Sequence, residues 1–249
     1  MTGEPCRFGL IVTGEGEEKS LPRLVRLLMA KAHCVFTVIR RVGQRSPITA
    51  KQRVRRMVGY GQAIPRIDEQ EIGVPVLLFL RRNPGSYAMV VDDLEGARRA
   101  IAANVFGRYR TALDAALAPS NLQTRAAVHF LVNMLEAYYF ADVRAVNSVA
   151  GATAIAADHP SDVEEIGHPK GELKRLWPAF DEKEHAGPIL RCLDTQHVLA
   201  RPAECCWLRT MFAWCVAKLL EAKASIWDET LTSSFELTDG CRSEITSGQ

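Results

Sequence analysis

The sequence predicts an α/β protein with a doubly wound, mainly parallel four-stranded sheet and a mostly helical C-terminal part. Through the first 145 residues, short and nearly all-apolar segments typical of buried parallel strands alternate with helical patterns. The composition, 47% hydrophobic and 24% charged, is that of a globular chain with a sizeable core. The longest apolar run, 74–80, is far shorter than the roughly 20 residues that a bilayer-spanning helix needs. We therefore expect no contact with a membrane.

The chain begins with a predicted strand over 7–13, which leads into a tight turn at 13–16. A helix follows from about Glu18, because apolar side chains recur there at the helical spacing. The second predicted strand covers 34–39.

The next helix is predicted from a capping box, in which Asp68 is the N-cap and Glu71 lies three residues further on. It extends through Leu80, and Pro75 indicates either a kink or a late start.

The second half of the sheet follows the same alternation of strand and helix. Strands are predicted over 87–91 and 126–132, with a long helix over 98–117 between them and a helix over 134–142 after them.

These elements divide the chain into three parts. Residues 1–146 form the α/β domain, and 147–231 form a helical extension packed on it, with its best helix over 203–224. Residues 232–249 are expected to be a polar, poorly ordered tail.

The seven cysteines predict reduced thiols. Their number is odd, their spacing is scattered and they include no Cys-x-x-Cys pair, which argues against a disulfide framework or a structural zinc site. The N-terminus lacks the basic start and apolar region of a signal peptide, so we expect a cytoplasmic protein.

The charges are distributed asymmetrically along the chain. No acidic residue lies between Lys19 and Ile67, whereas 12 of the 31 lysines and arginines do, so the other 19 face 29 acidic residues elsewhere. This basic segment favours nucleic acid or a phosphorylated ligand as partner. It includes a turn-rich loop over 40–47 and a predicted helix over 50–58. The alternative is a solvated helical face that meets an acidic neighbouring subunit.

Within the basic segment, six residues are the candidates to position a phosphate backbone. They are Arg40, Arg41, Arg45, Lys51, Arg53 and Arg56.

Carboxylates follow two of the predicted strands, Glu15 after the first and Asp92, Asp93 and Glu95 after the third. The carboxyl ends of parallel strands meet at one edge of a sheet, where α/β proteins form their sites. Like charges that lie close together disfavour ionisation, and Mg²⁺ or Mn²⁺ with oxygen ligands would neutralise them. These four residues are therefore the candidate catalytic and metal-binding residues. Alternatively, Asp92 or Asp93 simply caps the following helix.

The glycine turn at 14–16 is not a nucleotide-binding loop. A P-loop requires Gly-Lys-Ser/Thr, and the dinucleotide-binding pattern is not completed because position 19 is lysine.

Three stretches together resemble a known family: Thr13-Gly-Glu-Gly-Glu-Glu-Lys-Ser-Leu-Pro22, Val90-Val-Asp-Asp-Leu-Glu95 and Leu135-Glu-Ala-Tyr-Tyr-Phe-Ala-Asp142. A strand ending in Glu-Gly and a later strand ending in an acidic run resemble the TOPRIM domains of topoisomerases, primases and overcoming-lysogenization-type nucleases. More closely, the chain resembles the TOPRIM-like bacterial family of unknown function DUF 4276. The resemblance covers most of the first 180 residues.

The resemblance implies that Glu15 acts as general acid/base or metal partner. The family's Asp-x-Asp pair is less clear, because counting from Asp92 gives Leu94, which cannot bind a metal, whereas counting from Asp93 gives Glu95, which can. Glu136 is a possible additional site residue, and Lys170 is a possible phosphate contact. Asp142 lies on a different helical face from Glu136 and is more consistent with a structural role.

The leading hypothesis is a Mg²⁺-dependent phosphodiesterase or nuclease acting on nucleic acid. A place in bacterial defence beside a partner ATPase is implied by the resemblance alone. The alternative is a catalytically degenerate TOPRIM-like module that binds nucleic acid or a partner protein. A third hypothesis is a phosphotransferase or phosphatase for small molecules.

Overall fold

The computed structural model describes residues 4–44, 67–223 and 240–249. At its centre lies a four-stranded sheet of order β2-β1-β3-β4, in which every neighbouring pair is parallel. The strands are β1 (Cys6–Val12), β2 (Cys34–Arg41), β3 (Tyr87–Leu94) and β4 (Ala126–Val132). The predicted α/β class is confirmed, and the all-parallel sheet is consistent with a TOPRIM-like doubly wound fold.

Helices cover both faces of the sheet. Helices α1 (Glu15–Leu24) and α2 (Arg26–Lys31) connect β1 to β2, and their leucines pack with Phe8 and Leu10. Helices α3 (Val74–Arg82) and α4 (Ala102–Leu117) lie on the other face, where they pack with Ile11 and Val90. The burial of every residue of β3 and β4 explains why these strands read as continuous apolar runs.

The order in which the chain adds strands to the sheet reverses between β1 and β3. From β1 the chain moves to β2 on one side, whereas from β3 it moves to β4 on the other side. A crevice therefore opens at the carboxyl ends of β1 and β3, at the place where α/β proteins commonly bind their ligands.

The C-terminal helices form a second layer on the face that carries α1 and α2. They are α5 (Val143–Ala150), α6 (Pro169–Leu176), α7 (Glu182–Cys192), α8 (Thr195–Leu199) and α9 (Cys206–Glu221). Helix α9 lies against the sheet, and the ring of Trp214 contacts the rings of Phe8, Tyr87 and His129. Leucine and valine side chains of α7 and α8 join the same core.

Several local predictions differ from the structure. The Asp68 carboxylate does not cap a helix; it forms an ion pair with Arg108 at 2.6 Å, and a π-helical turn (Glu69–Gly73) precedes α3. The helix predicted over 134–142 is a 3₁₀ segment (Leu135–Ala141) in which every residue is buried, so its apolar pattern came from burial on all sides. Strand β3 extends to Leu94 and therefore contains Asp92 and Asp93.

The prediction of reduced cysteines is wrong for two of the seven. Cys206 and Cys241 form a disulfide, and their Cα atoms lie 5.1 Å apart, within the usual reach of such a bond. The other five cysteines are free thiols. The two cysteines are 35 residues apart, so no local sequence pattern predicts that they form a disulfide.

The end of the chain is more ordered than expected. Within 240–249, Ser243 and Thr246 are buried, and the Ser243 N–H donates to the hydroxyl of Thr210 on α9 at 2.8 Å. The rest of the predicted tail, 232–239, and the predicted basic helix over 50–58 lie outside the described residues. In the described part of the chain, no helix has both the length and the apolar character needed to cross a bilayer.

Candidate functional site

A cavity of about 240 Å³ lies at the crevice between β1 and β3. Residues that follow three of the strands line it, Gly14 after β1, Gln44 after β2 and Met134 after β4, together with Asp93 near the end of β3. Helix α7 closes one side with Ala186. We call it the acidic cavity because five carboxylates line it: Glu15, Glu17, Asp93, Glu136 and Glu182.

Glu17 is the acidic side chain that the start of α1 turns towards the core. It lies four residues before Leu21 and seven before Leu24, so it shares their buried helical face and is only 7% exposed. Burial raises the pKa of Glu17, and the negative charges of Asp92 and Glu182 raise it further.

Asp93 is the second-to-last residue of β3, and it is 6% exposed. Its Oδ1 atom accepts a hydrogen bond from the backbone N–H of Met134 at 2.9 Å, which fixes the carboxylate between β3 and β4. Burial, followed by the charges of Glu17 and Glu95, raises the pKa of Asp93 to about 8. Asp93 therefore holds a proton at neutral pH unless a cation takes its place.

Glu136 lies in the 3₁₀ segment after β4 and is 4% exposed. Burial raises its pKa to about 7; the charge of Glu182 adds to the increase and that of Lys170 opposes it. Lys170 itself forms an ion pair with Glu182 on the wall of the cavity. The two predicted additional residues, Glu136 and Lys170, thus belong to one electrostatic group.

Glu15 lines the same cavity from its exposed rim, with 61% of its side chain accessible. It pairs with Lys19 at 2.5 Å, and Arg41 lies 3.9 Å away. The hydrogen bond from Lys19 lowers the pKa of Glu15. Of the predicted carboxylates, the structure therefore brings Glu15, Asp93 and Glu136 to one cavity.

Asp92 and Glu95 are not among the residues that line the acidic cavity. Successive residues of a strand point to opposite faces, and Asp92 is fully buried on the α4 side. There it accepts hydrogen bonds from Thr13 at 2.7 Å and Tyr109 at 2.8 Å and pairs with Arg98. Glu95 is exposed, although its charge is near enough to raise the pKa of Asp93.

The described part of the basic segment ends beside the acidic cavity. Arg40 and Arg41 are exposed at the carboxyl end of β2, and Arg41 pairs with Glu18 at 3.1 Å. Gln44, the last described residue before the gap, lines the cavity and donates its Nε2 to the backbone carbonyl of Asp93 at 3.3 Å. The other predicted phosphate contacts, Arg45, Lys51, Arg53 and Arg56, lie outside the described residues.

A second group of side chains lies in the C-terminal layer. Asp142, Asp158 and His197 each offer a ligand atom within 4.8 Å of the other two, so this group could hold a metal ion. Among the residues that the structure describes, the carboxylates of the acidic cavity form no such group of three. Burial raises the pKa of Asp158, but hydrogen bonds from His197 and the Val143 N–H outweigh it and leave the pKa below its ordinary value.

Sequence reasoning missed Glu17, Glu182 and the second group. The position of Glu17 was available from the pattern, because it continues the buried stripe of Leu21 and Leu24 by one turn. Asp142, Asp158 and His197 are 16 and 39 residues apart, a spacing that matches no metal-binding motif.

Comparisons with protein-family models, curated proteins and solved structures found no match for this chain. Buried carboxylates with raised pKa values can exchange protons near neutral pH, and their oxygens are the ligands that hard divalent cations prefer.

Proposed function

We propose that the protein is a metal-dependent phosphodiesterase that acts on nucleic acid in the cytoplasm, with Mg²⁺ or Mn²⁺ at the acidic cavity. One observation carries the proposal: Glu17, Asp93 and Glu136 are buried around one cavity at the reversal point of the sheet. Within residues 4–44, 67–223 and 240–249, none of these three forms an ion pair. A divalent cation would neutralise them.

The carboxylate oxygens of the cavity suit Mg²⁺ better than a metal whose ligands must all come from the protein. The cavity offers oxygen ligands from carboxylates, but no three of them lie within 4.8 Å of one another. Mg²⁺ commonly uses one or two carboxylates and completes its shell with water and substrate phosphate oxygens. Asp93 and Glu136 would hold it, because both are buried and both exchange a proton readily near neutral pH.

When bound, such a cation supplies activated water and stabilises the charge that develops on phosphorus. The chain's own residues would do the rest. Glu17 lies beside Asp93 and can hold the proton that an attacking water loses. Gln44, held to the Asp93 carbonyl, would orient the substrate where the basic segment enters the cavity. Arg40 and Arg41 would attract the phosphate backbone, as would the predicted contacts beyond Gln44.

The sequence resemblance to TOPRIM-like proteins of the DUF 4276 family is in line with the same function, and it rests on stretches that include Glu17, Asp93 and Glu136 themselves. It adds two further proposals, a partner ATPase and a role in bacterial defence. Both can be examined only with the partner protein present.

The test is cleavage of single-stranded and double-stranded DNA and RNA with Mg²⁺ or Mn²⁺, compared with chelator. The Asp93→Asn, Glu136→Gln double variant keeps the size and one acceptor oxygen of each side chain and removes both charges. We expect cleavage to fall at least about 100-fold, as for loss of groups that stabilise a transition state, while binding of the nucleic acid persists. Glu15→Gln, made separately, tests the rim carboxylate.

Glu172→Gln is the matched control, because Glu172 is a half-buried carboxylate that pairs with Arg175 outside the acidic cavity. It should retain full cleavage. Full activity in the double variant would refute the assignment of the site, and cleavage that persists in chelator would refute the need for a metal.

The second candidate is a module that binds nucleic acid or a partner without cleaving it. Its support is that Asp92 is engaged by Arg98 and that Leu94 packs into the core beneath α4. The acidic run of β3 thus contributes one carboxylate to the cavity instead of two. Salt-dependent nucleic-acid binding without any metal-dependent cleavage would favour this candidate over the phosphodiesterase.

A further inference from the structure

We propose that Asp142, Asp158 and His197 bind a divalent transition metal of the zinc class, and that this ion clamps the C-terminal layer together. The group is distinct from the acidic cavity, with which it shares no residue.

The three side chains come from segments far apart in the chain. Asp142 lies immediately before α5, Asp158 lies in the connection that follows α5, and His197 lies on α8. A metal held by all three would cross-link residues 142–197, which include most of the C-terminal layer. Ligand atoms bound to one ion at about 2.0–2.2 Å lie at most about 4.4 Å apart, so atoms that all lie within 4.8 Å of one another need only a small shift to share an ion.

Backbone groups already orient both carboxylates. The N–H of Val143 donates to Oδ1 of Asp158 at 2.9 Å, and the N–H of Asp194 donates to Oδ2 of Asp142 at 2.9 Å. Asp194 also caps α8, accepting a hydrogen bond from the N–H of His197 at 3.2 Å. Such supporting hydrogen bonds are typical of metal ligands, and each carboxylate oxygen keeps a lone pair for the ion.

The charge of the group favours a dication. Two carboxylates face one imidazole and one guanidinium, that of Arg144, which is 65% exposed and donates to Asp142 at 2.7 Å. The His197 Nε2 lies 2.7 Å from Oδ2 of Asp158, within hydrogen-bond distance. A metal ion would take the place of that hydrogen bond and bind both atoms after a small separation of the pair.

The imidazole decides the class of metal. Mg²⁺ and Ca²⁺ prefer oxygen ligands alone, whereas Zn²⁺ and its neighbours in the first transition row accept imidazole nitrogen. We therefore expect Zn²⁺ and Co²⁺ to bind here in the presence of excess Mg²⁺.

The experiment titrates chelator-treated protein with Zn²⁺ against a chromophoric competitor in excess Mg²⁺. A Cys192→Ser background removes the exposed free thiol. We expect one equivalent to bind, and His197→Gln to weaken binding by more than the roughly 10- to 100-fold that loss of a supporting residue costs. His168→Gln, which removes an exposed imidazole outside the group, should bind Zn²⁺ as before.

Two further measurements remain informative if His197→Gln fails to fold, which circular dichroism would reveal. Co²⁺ should give the visible absorption of a low-coordinate site, and Arg144→Gln should tighten binding several-fold because it removes a competing cation. Absence of a bound equivalent in the parent protein overturns the proposal, as does unchanged binding in folded His197→Gln. The Asp93→Asn, Glu136→Gln variant should retain the equivalent, which separates this site from the acidic cavity.

Discussion

Replacing Asp93 by asparagine tests the electrostatics of the acidic cavity in the metal-free protein. Asparagine keeps an oxygen that can accept the hydrogen bond from the Met134 N–H, but it carries no charge. The pKa of Asp93 is raised from 3.8 to about 8, so ionisation of this group opposes folding. The opposing effect is absent below about pH 4, grows as the pH rises and is complete above about pH 8.

The size of the effect follows from that difference. One pKa unit corresponds to about 1.4 kcal/mol, so at pH 7 the buried carboxyl lowers the free energy of unfolding by at most about 4 kcal/mol. We expect Asp93→Asn to recover a large part of that free energy and to flatten its dependence on pH between 5 and 8.

Urea denaturation at pH 5, 6, 7 and 8 in chelator measures both quantities. Glu172→Gln is the control, because Glu172 pairs with Arg175 outside the cavity and is not among the charges that raise the pKa of Asp93. Addition of Mg²⁺ should stabilise the parent protein and leave Asp93→Asn nearly unchanged. An Asp93→Asn variant that is less stable than the parent at pH 8, or that shows the same pH dependence, would refute the reasoning.

Three other substitutions have defined outcomes. Asp92→Ala should lower the free energy of unfolding by about 3–5 kcal/mol, because it removes the buried carboxylate that accepts from Thr13 and Tyr109 and pairs with Arg98; an equally stable variant in urea denaturation would contradict this. Loss of the disulfide through Cys206→Ser should lower it by up to about 4 kcal/mol for a closure of 35 residues, and added reductant should give the same shift in the parent and none in the variant. Glu164→Ala should destabilise by about 3 kcal/mol or more, because it removes the acceptor of two backbone N–H groups at the start of α9; an unchanged thermal midpoint would exclude it.

The sheet could be predicted from sequence largely because β1, β3 and β4 are buried on both faces, which leaves continuous apolar runs. The edge strand β2 is buried only in part. All four strands were found within a few residues of their ends. The same rule failed over 135–141, where burial on every side makes a 3₁₀ segment resemble a helix. Local apolar content thus identifies buried segments better than it identifies their backbone conformation.

The site was predicted in part, for a reason that lies in the strand geometry. The acidic run was expected after the third strand, whereas Asp92 and Asp93 lie inside β3 near its carboxyl end. The alternation of side chains sends Asp92 towards Arg98 and Asp93 towards the cavity. Which of two adjacent carboxylates faces the cavity depends on where the strand ends, and β3 extends to Leu94. The group of Asp142, Asp158 and His197 depends on packing between distant helices, which no local pattern records.

The contacts of Gln249 have a consequence for self-association. The side-chain amide of Gln249 accepts from the Val128 N–H at 2.7 Å and donates to the Val128 carbonyl at 2.8 Å. It therefore occupies hydrogen-bonding groups at the open edge of β4, where a neighbouring strand would otherwise bind. Unpaired peptide groups at such an edge can pair with a strand of another molecule. A variant that lacks Gln249 would leave these peptide groups of β4 exposed at the edge of the sheet. It should form oligomers or aggregates as its concentration rises.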